Sequence, residues 1–373
     1  MKIGIITWFR GSNYGTNLQA IALQQYLRKE GHAVRIINYQ VPESGKKKRP
    51  FWERVAYQPQ KYVAKYAARR FHREIELRDD RLRKAVDQHC VLTQEINSEQ
   101  ALVDVCNTFD LLICGSDQIW NPNWYHRFYF ADYDEIHTRK IAYAPSLGVN
   151  ELPLRSVEDI KRGVRKFSVV SVREEQGAKL LAPFLDTPPS VVVDPTLLLN
   201  ADEWNTIFPG KTPDSPGEYI LSMFLTDKTA HWKAAQRFAK EKGLRHVIIP
   251  YCGFSYLQKG TVYADAGPEE LLAVLRNAEY VLTDSFHITV FSLIYRRQFY
   301  TFQRFQENAT ASTNARIRNL LRLAGLDNRL LAYGTSRIRE QEDIDYAVCS
   351  RALDNAIDES RRCLKNTVAD HVE

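Results

Sequence analysis

Short apolar runs rich in Val, Ile and Leu alternate with longer amphipathic stretches almost throughout this chain. Runs of that kind, bounded by polar and glycine-bearing segments, predict buried strands, and the amphipathic stretches predict helices. Lys2–Phe9, Ala33–Tyr39, Asp110–Gly115, Ile141–Ser146, Val169–Val172 and Ser190–Val193 read as strands, with helices over Leu18–Lys29 and Val157–Phe167. A second series follows Asp194-Pro195. It contains strand Tyr219–Leu225, helix Ala230–Lys242, strand His246–Tyr251 and helix Pro268–Asn277. Strand Tyr280–Ser285, apolar helix Phe286–Tyr295 and strand Gln298–Arg304 come next, and Asn314–Ala324 and Ala347–Leu364 read as closing helices. Strands that are apolar along their length and alternate with helices predict parallel sheets covered on both faces.

A chain of 373 residues exceeds one ordinary core. The Pro- and Gly-rich stretch Phe208–Glu218 reads as an interdomain connection. The expected fold is therefore α/β, with two Rossmann-like domains facing a cleft in a B-type glycosyltransferase-like architecture. Residues 1–197 would form the N-terminal domain and 198–373 the C-terminal domain, closed by the C-terminal helix. Each half would present its ligand loops at the carboxyl ends of its strands.

Composition narrows the class. No run approaches the roughly 20 apolar residues that cross a bilayer. The start, MKIGIITWF, reads as a first buried strand, too short in its apolar part for a signal peptide. The six cysteines include no C-x-x-C pair and read as reduced thiols in the cytoplasm. Charge is regional: Lys46–Lys84 carries 14 Lys/Arg against 5 Asp/Glu, a balance of +9 where the whole chain has +6. The same segment holds six aromatic residues from Phe51 to Phe71 and reads as a largely helical insertion. Two readings stay open there, a solvated helix and a helix resting on anionic lipid at the inner membrane face. No nucleic-acid-binding motif accompanies the charge.

Candidate chemistry gathers at strand ends. His287 falls in the first turn of a helix that follows a strand directly, with Ser285 at the N-cap position and Asp284 before it. Unpartnered N–H groups of such a turn hold anions. Spacing alone leaves two readings of His287: an imidazole beside a bound phosphate or carboxylate, and a buried histidine satisfied by the backbone. The loop after the first strand, Arg10–Asn17, offers Asn13 and Asn17 but lacks G-x-G-x-x-G and a P-loop lysine. The loop after Asp110–Gly115 sets Asp117, Gln118, Trp120 and Asn121 together, amides and a carboxylate for hydroxyls beside an aromatic ring for a sugar face. Asp117 is also placed to act as a base, and the same loop reads equally as a capped turn with a structural Trp. Arg173, Arg304 and Arg316, each at a strand or helix end, suit a small, highly charged anion. No metal motif and no G-x-S-x-G is present.

Six motifs, in order, resemble those of the polysaccharide pyruvyl transferase family. They are Gly11-Ser12-Asn13-Tyr14-Gly15-Thr16-Asn17-Leu18-Gln19, Gly115-Ser116-Asp117-Gln118-Ile119-Trp120-Asn121-Pro122 and Tyr143-Ala144-Pro145-Ser146-Leu147-Gly148, then Ser171-Val172-Arg173-Glu174, Val193-Asp194-Pro195-Thr196-Leu197-Leu198 and Thr283-Asp284-Ser285-Phe286-His287. The resemblance spans about Lys2 to Leu330. It implies transfer of a pyruvyl group from phosphoenolpyruvate to two hydroxyls of a sugar or lipid-linked oligosaccharide, giving a cyclic ketal and phosphate, with phosphoenolpyruvate as co-substrate and no cofactor.

Carried over by motif, His287 matches the family's active-site histidine, Arg173 its arginine after the Ser-Val pair, and Arg304 its basic residue at the next strand's end. Catalysis is then expected of His287 and Asp117. Donor binding is expected of Arg173, Ser285, His287, Arg304 and Arg316, and acceptor binding of Asn13, Asn17, Asp117, Gln118, Trp120 and Asn121. The family often has Gly after the His, where this chain has Ile288, a change expected to narrow the pocket or alter the helix turn. Pro145 stands where a small residue is usual. A nucleotide-sugar glycosyltransferase of the same architecture and a non-catalytic glycan-binding protein are the alternative functions.

Overall fold

Two six-stranded, wholly parallel sheets organise the chain, whose computed structural model describes residues 1–41, 59–211, 218–306 and 314–369. The first sheet holds β1 (Lys2–Ile6), β2 (Ala33–Ile36), β3 (Leu111–Cys114), β4 (Arg139–Ala142), β5 (Val169–Val172) and β6 (Ser190–Val191), in the order β2-β1-β3-β4-β5-β6. The second holds β7 (Tyr219–Met223), β8 (Arg245–Ile248), β9 (Thr261–Val262), β10 (Tyr280–Thr283), β11 (Gln298–Phe302) and β12 (Leu330–Leu331), in the order β12-β11-β10-β7-β8-β9. Strand order reverses between β1 and β3 in one domain and between β7 and β10 in the other. A doubly wound sheet binds its ligands at that reversal, outside the carboxyl ends of the strands.

The helices are α1 (Tyr14–Lys29), α2 (Pro59–Arg70), α3 (His72–His89), α4 (Glu99–Cys106), α5 (Leu154–Val164), α6 (Glu175–Leu181), α7 (Ala201–Ile207), α8 (Thr229–Lys242), α9 (Pro268–Asn277), α10 (Phe286–Ile294), α11 (Asn314–Leu323) and α12 (Tyr346–Ala369). None of them is long and apolar enough to cross a membrane. Helix α1 starts four residues before the apolar pattern predicts. Asn13 caps it, its side chain accepting from the Gly15 N–H at 3.0 Å, so Tyr14–Asn17 form a helical turn rather than a loop.

The two domains share one apolar cluster. It runs from β1 and α1 through Leu197, Leu198 and Leu199 into α10 and β10. Helix α10 is buried on every side, which its unbroken apolar sequence requires. Ile288 belongs to this cluster and is itself buried, so its side chain fills core volume. Polar ties reinforce the junction: the Tyr14 hydroxyl donates to the Ala266 carbonyl at 2.6 Å, and Arg78 donates to the Tyr251 carbonyl at 3.2 Å.

Helix α12 also crosses between domains. Its first residue, Tyr346, donates to the Arg297 carbonyl of the second domain, while Arg139 of the first domain donates to the Thr367 carbonyl near its end. The closing helix therefore belongs to both domains rather than to 198–373 alone. Of the basic insertion, 46–58 lies outside the described residues, and the rest lies in α2 and α3.

Candidate functional site

The two strand-order reversals face each other, and His287 stands where they meet. It occupies the first turn of α10, directly after β10, and presses against the first turn of α1 from the other domain. A Cβ built on Gly15 would lie 1.9 Å from His287 Nδ1. Gly15 is thus required because any side chain there would occupy the volume of the imidazole. Gly15→Ala is expected to displace His287 and lower turnover about 100-fold. Overpacking costs about 1–3 kcal/mol, more than the up to about 1 kcal/mol by which Ala favours a helix over Gly, so thermal unfolding should show a lower melting temperature. Wild-type turnover in this variant would refute the assigned contact.

On its other edge His287 Nε2 lies 3.5 Å from Asp194 Oδ2. Asp194 follows β6 and is fully enclosed. Its Oδ1 accepts from the Thr196 amide at 3.0 Å and the Thr196 hydroxyl at 2.6 Å, and Oδ2 pairs with the Arg173 guanidinium. Burial by itself would raise the Asp194 pKa, but His287, Arg173 and Thr196 outweigh it and hold the carboxyl far below the usual range. Arg173, at the end of β5, also lies 3.7 Å from Asp117 Oδ1, and its Nε has no hydrogen-bond partner. Burial opposes its charge, while Asp194, Asp117 and Glu174 sustain it.

The ring of Phe286 joins the two domains' cations. The Arg173 Cζ lies 4.6 Å from its centroid and the Arg316 Cζ 5.7 Å. Arg316, in the first turn of α11, is buried with an unpartnered Nε. Burial, with Arg173 and Arg304 nearby, pushes its pKa down to about 9. Burial is the larger cause, and Glu174 and Asp117 act in the opposite direction. Ser285 sits at the N-cap position of α10, yet its hydroxyl does not cap the helix, which leaves the first-turn amides of α10 without a side-chain acceptor.

Asp284 is spent on architecture. It accepts from the Leu225 amide and the Thr226 hydroxyl, each at 2.6 Å, and so joins the loops after β7 and β10. Beside it, His231 lies between Phe224 and Phe302. Burial and Lys228 push its pKa down to about 4, which makes it a neutral ring.

The other predicted residues divide. Asp117 is in the site. Its Oδ2 accepts from the Thr16 hydroxyl at 2.7 Å, and its left-handed backbone (φ 64°) is held by the Ser146 amide donating to its carbonyl at 2.8 Å. Asn13 caps α1, and Asn17 donates to the Phe9 carbonyl at 2.8 Å, so both shape the loop after β1. Gln118 is half-buried beside Asn121, which caps the short helical turn 122–124. Trp120 is a correction. It is completely buried, stacked on Phe130 at 5.0 Å, with its Nε1–H donating to the Tyr129 carbonyl, so no ring face is open to a sugar.

An aromatic surface does occur nearby, on residues that sequence reasoning passed over. Trp8 immediately follows the residue after β1. It lies 5.8 Å from Trp124, which is 55% exposed, with Tyr129 edge-on to Trp8 at 5.9 Å. The Thr7 hydroxyl donates to the Ser116 carbonyl at 3.1 Å, which sets this pair beside the Asp117 loop. Gly15 and Asp194 were also missed as site residues. Both stand inside quoted motifs, but only the fold shows that their partners are His287 and Arg173.

Two Rossmann-like domains, each a doubly wound parallel sheet with its strand-order reversal toward the other, define the B-type glycosyltransferase-like architecture. Within it, a family model described as polysaccharide pyruvyl transferase matches residues 13–304, and the chain belongs to that family. Among curated proteins, none matches the chain.

Solved structures with the same fold include the UDP-GlcNAc 2-epimerase of Methanocaldococcus jannaschii, with a TM-score of 0.52, 11% identity, and cover of 99% of this chain and 100% of that one. A putative UDP-N-acetylglucosamine 2-epimerase from Listeria monocytogenes has a TM-score of 0.52 at 9% identity, covering 97% and 90%. The S. aureus MnaA–UDP co-structure has a TM-score of 0.51 at 10% identity, covering 90% and 85%.

Proposed function

We propose that this protein transfers the pyruvyl group of phosphoenolpyruvate to two hydroxyls of a polysaccharide sugar or its lipid-linked precursor, forming a cyclic ketal and releasing phosphate. The observation that carries this reading is the buried pair of Arg173 and Arg316 against the Phe286 ring, with His287 and the uncapped first turn of α10 beside it. Phosphoenolpyruvate brings a phosphate and a carboxylate to that charge. His287 then delivers a proton to the CH₂ carbon of the enol, with Asp194 facing its Nε2 at 3.5 Å. Ionised Asp194 is the counter-charge to the imidazolium.

Protonation makes C2 electrophilic. One sugar hydroxyl adds there, with Asp117 accepting its proton. The second hydroxyl adds as the C–O bond to phosphate breaks. One hydroxyl proton replaces the proton that became part of the methyl group, and the other leaves with phosphate. Arg173, Arg304 and Arg316 stabilise charge as it moves onto the phosphate. The acceptor is received by the N-terminal domain, on the Asp117 loop and the Trp8–Trp124 pair.

The competing reading, a nucleotide-sugar glycosyltransferase, draws on the UDP named in the S. aureus structure of the same fold. Thermal shift separates the two. Phosphoenolpyruvate at about 100 times its Kd should stabilise the protein by about 2.7 kcal/mol, and UDP should leave the melting temperature unchanged. Stabilisation by UDP alone would overturn the proposal in favour of the glycosyltransferase.

A further inference from the structure

We propose that α2 and the first turn of α3 rest on an anionic membrane surface and hold the mouth of the cleft against it, so that the acceptor is a sugar carried on a lipid. The acceptor class rests on the pyruvyl-transfer reading; the membrane surface does not.

Helix α2 contains no acidic residue. Tyr62 and Tyr66, one turn apart, are 66% and 62% exposed, and Lys65, Arg69 and Arg73 are exposed at the same helical spacing. The opposite face is used for packing: Ala67 is buried, and Phe71 stacks on Tyr256 at 5.2 Å. Among the described residues, none of Lys65, Arg69 and Arg73 has an acidic partner. Further along α3, Arg78, Arg81, Arg83 and Lys84 each pair with a carboxylate. Positive charge on the outer face of α2 is therefore not balanced within the described structure. Tyr62 and Tyr66 stand exposed beside that charge. At a lipid headgroup layer the rings place an apolar body and a polar tip, and the cations meet anionic phosphates.

Position completes the argument. Helix α2 packs on the short helical turn Gly253–Leu257, which follows β8 at the carboxyl edge of the second sheet. That is the edge on which the cleft opens. A headgroup layer against α2 would bring a lipid-linked sugar to the rim of the site rather than to its closed side.

The test is flotation of the full chain with vesicles of phosphatidylcholine containing about 30% phosphatidylglycerol, with no phosphoenolpyruvate or sugar present. Binding is expected to these vesicles, to be lost on neutral vesicles, and to weaken as salt rises from about 0.05 to about 0.5 M. Each basic residue is worth roughly a fivefold change in partitioning, so Lys65→Glu/Arg69→Glu/Arg73→Glu should reduce it at least about 100-fold. Tyr62→Ser/Tyr66→Ser should reduce the salt-resistant fraction, and circular dichroism should show both variants folded. Absent flotation, wild-type flotation by the triple variant, or equally tight binding to a DNA duplex at the same salt would each overturn the proposal. Because the assay contains no donor, its failure is distinct from failure of phosphoenolpyruvate in the thermal-shift test.

Discussion

Replacing His287 with alanine is expected to lower acceptor-dependent phosphate release from phosphoenolpyruvate about 1,000-fold, with little change in donor affinity. General acid catalysis contributes about 10²–10⁴-fold in rate. In the proposed reaction the donor's charge is met mainly by Arg173, Arg304, Arg316 and the first-turn amides of α10, all of which remain. The imidazole lies at the outer limit of a hydrogen bond from Asp194, 3.5 Å, while the Asp194–Arg173 pair and the Thr196 bonds persist without it. Stability should therefore fall by no more than about 2 kcal/mol. The measurements are steady-state phosphate release, isothermal titration with phosphoenolpyruvate, and thermal unfolding. Retained turnover would remove His287 as the acid, and lost donor binding with intact chemistry would make it a binding residue.

A different failure is expected from Arg173→Ala. This guanidinium sits in a fully enclosed site against Asp194, and removing it leaves a buried carboxylate without its ion-pair partner. Breaking a buried pair from one side costs about 3–5 kcal/mol, because the surviving charge keeps its desolvation penalty and loses its partner. Activity should also disappear, since Arg173 joins Asp194, Asp117 and the Phe286 ring into one arrangement. Adding Asp194→Asn in the same chain should recover much of the lost stability by removing the stranded charge, but not the activity. Denaturant unfolding of the wild type, both single variants and the double variant measures the coupling. Additive losses would show that the pair is not a thermodynamic unit.

The apolar pattern carried most of the fold. Unbroken apolar strands alternating with helices allow little besides parallel sheets, and both series appear where the pattern places them. Its errors lie at element ends. Helix α1 begins at Tyr14 because Asn13 caps it, a polar interaction that apolar periodicity does not register. Helix α12 continues to Ala369 because its end finds Arg139 in the other domain, which no local window contains.

The site was legible to a lesser degree. His287, Arg173, Arg316 and Asp117 sit at strand or helix ends, and the sheets bring those ends together. Trp120 follows Asp117 by only three positions, yet its ring turns inward onto Phe130, while Trp124 turns outward. Residue type and spacing do not distinguish those two directions. The choice depends on whether apolar volume is waiting beneath the loop.

By itself, the sequence determined the two-domain α/β architecture, the family and the residue types gathered at the strand ends, because these follow from periodicity and ordered motifs. Only the tertiary structure decided that Gly15 of one domain makes room for His287 of the other. It also decided that Asp194, Arg173 and Arg316 share one buried site, and that α2 packs on the turn after β8. Those facts are contacts between segments far apart in the chain. Such contacts are selected by packing and desolvation across the whole fold, which local sequence does not encode.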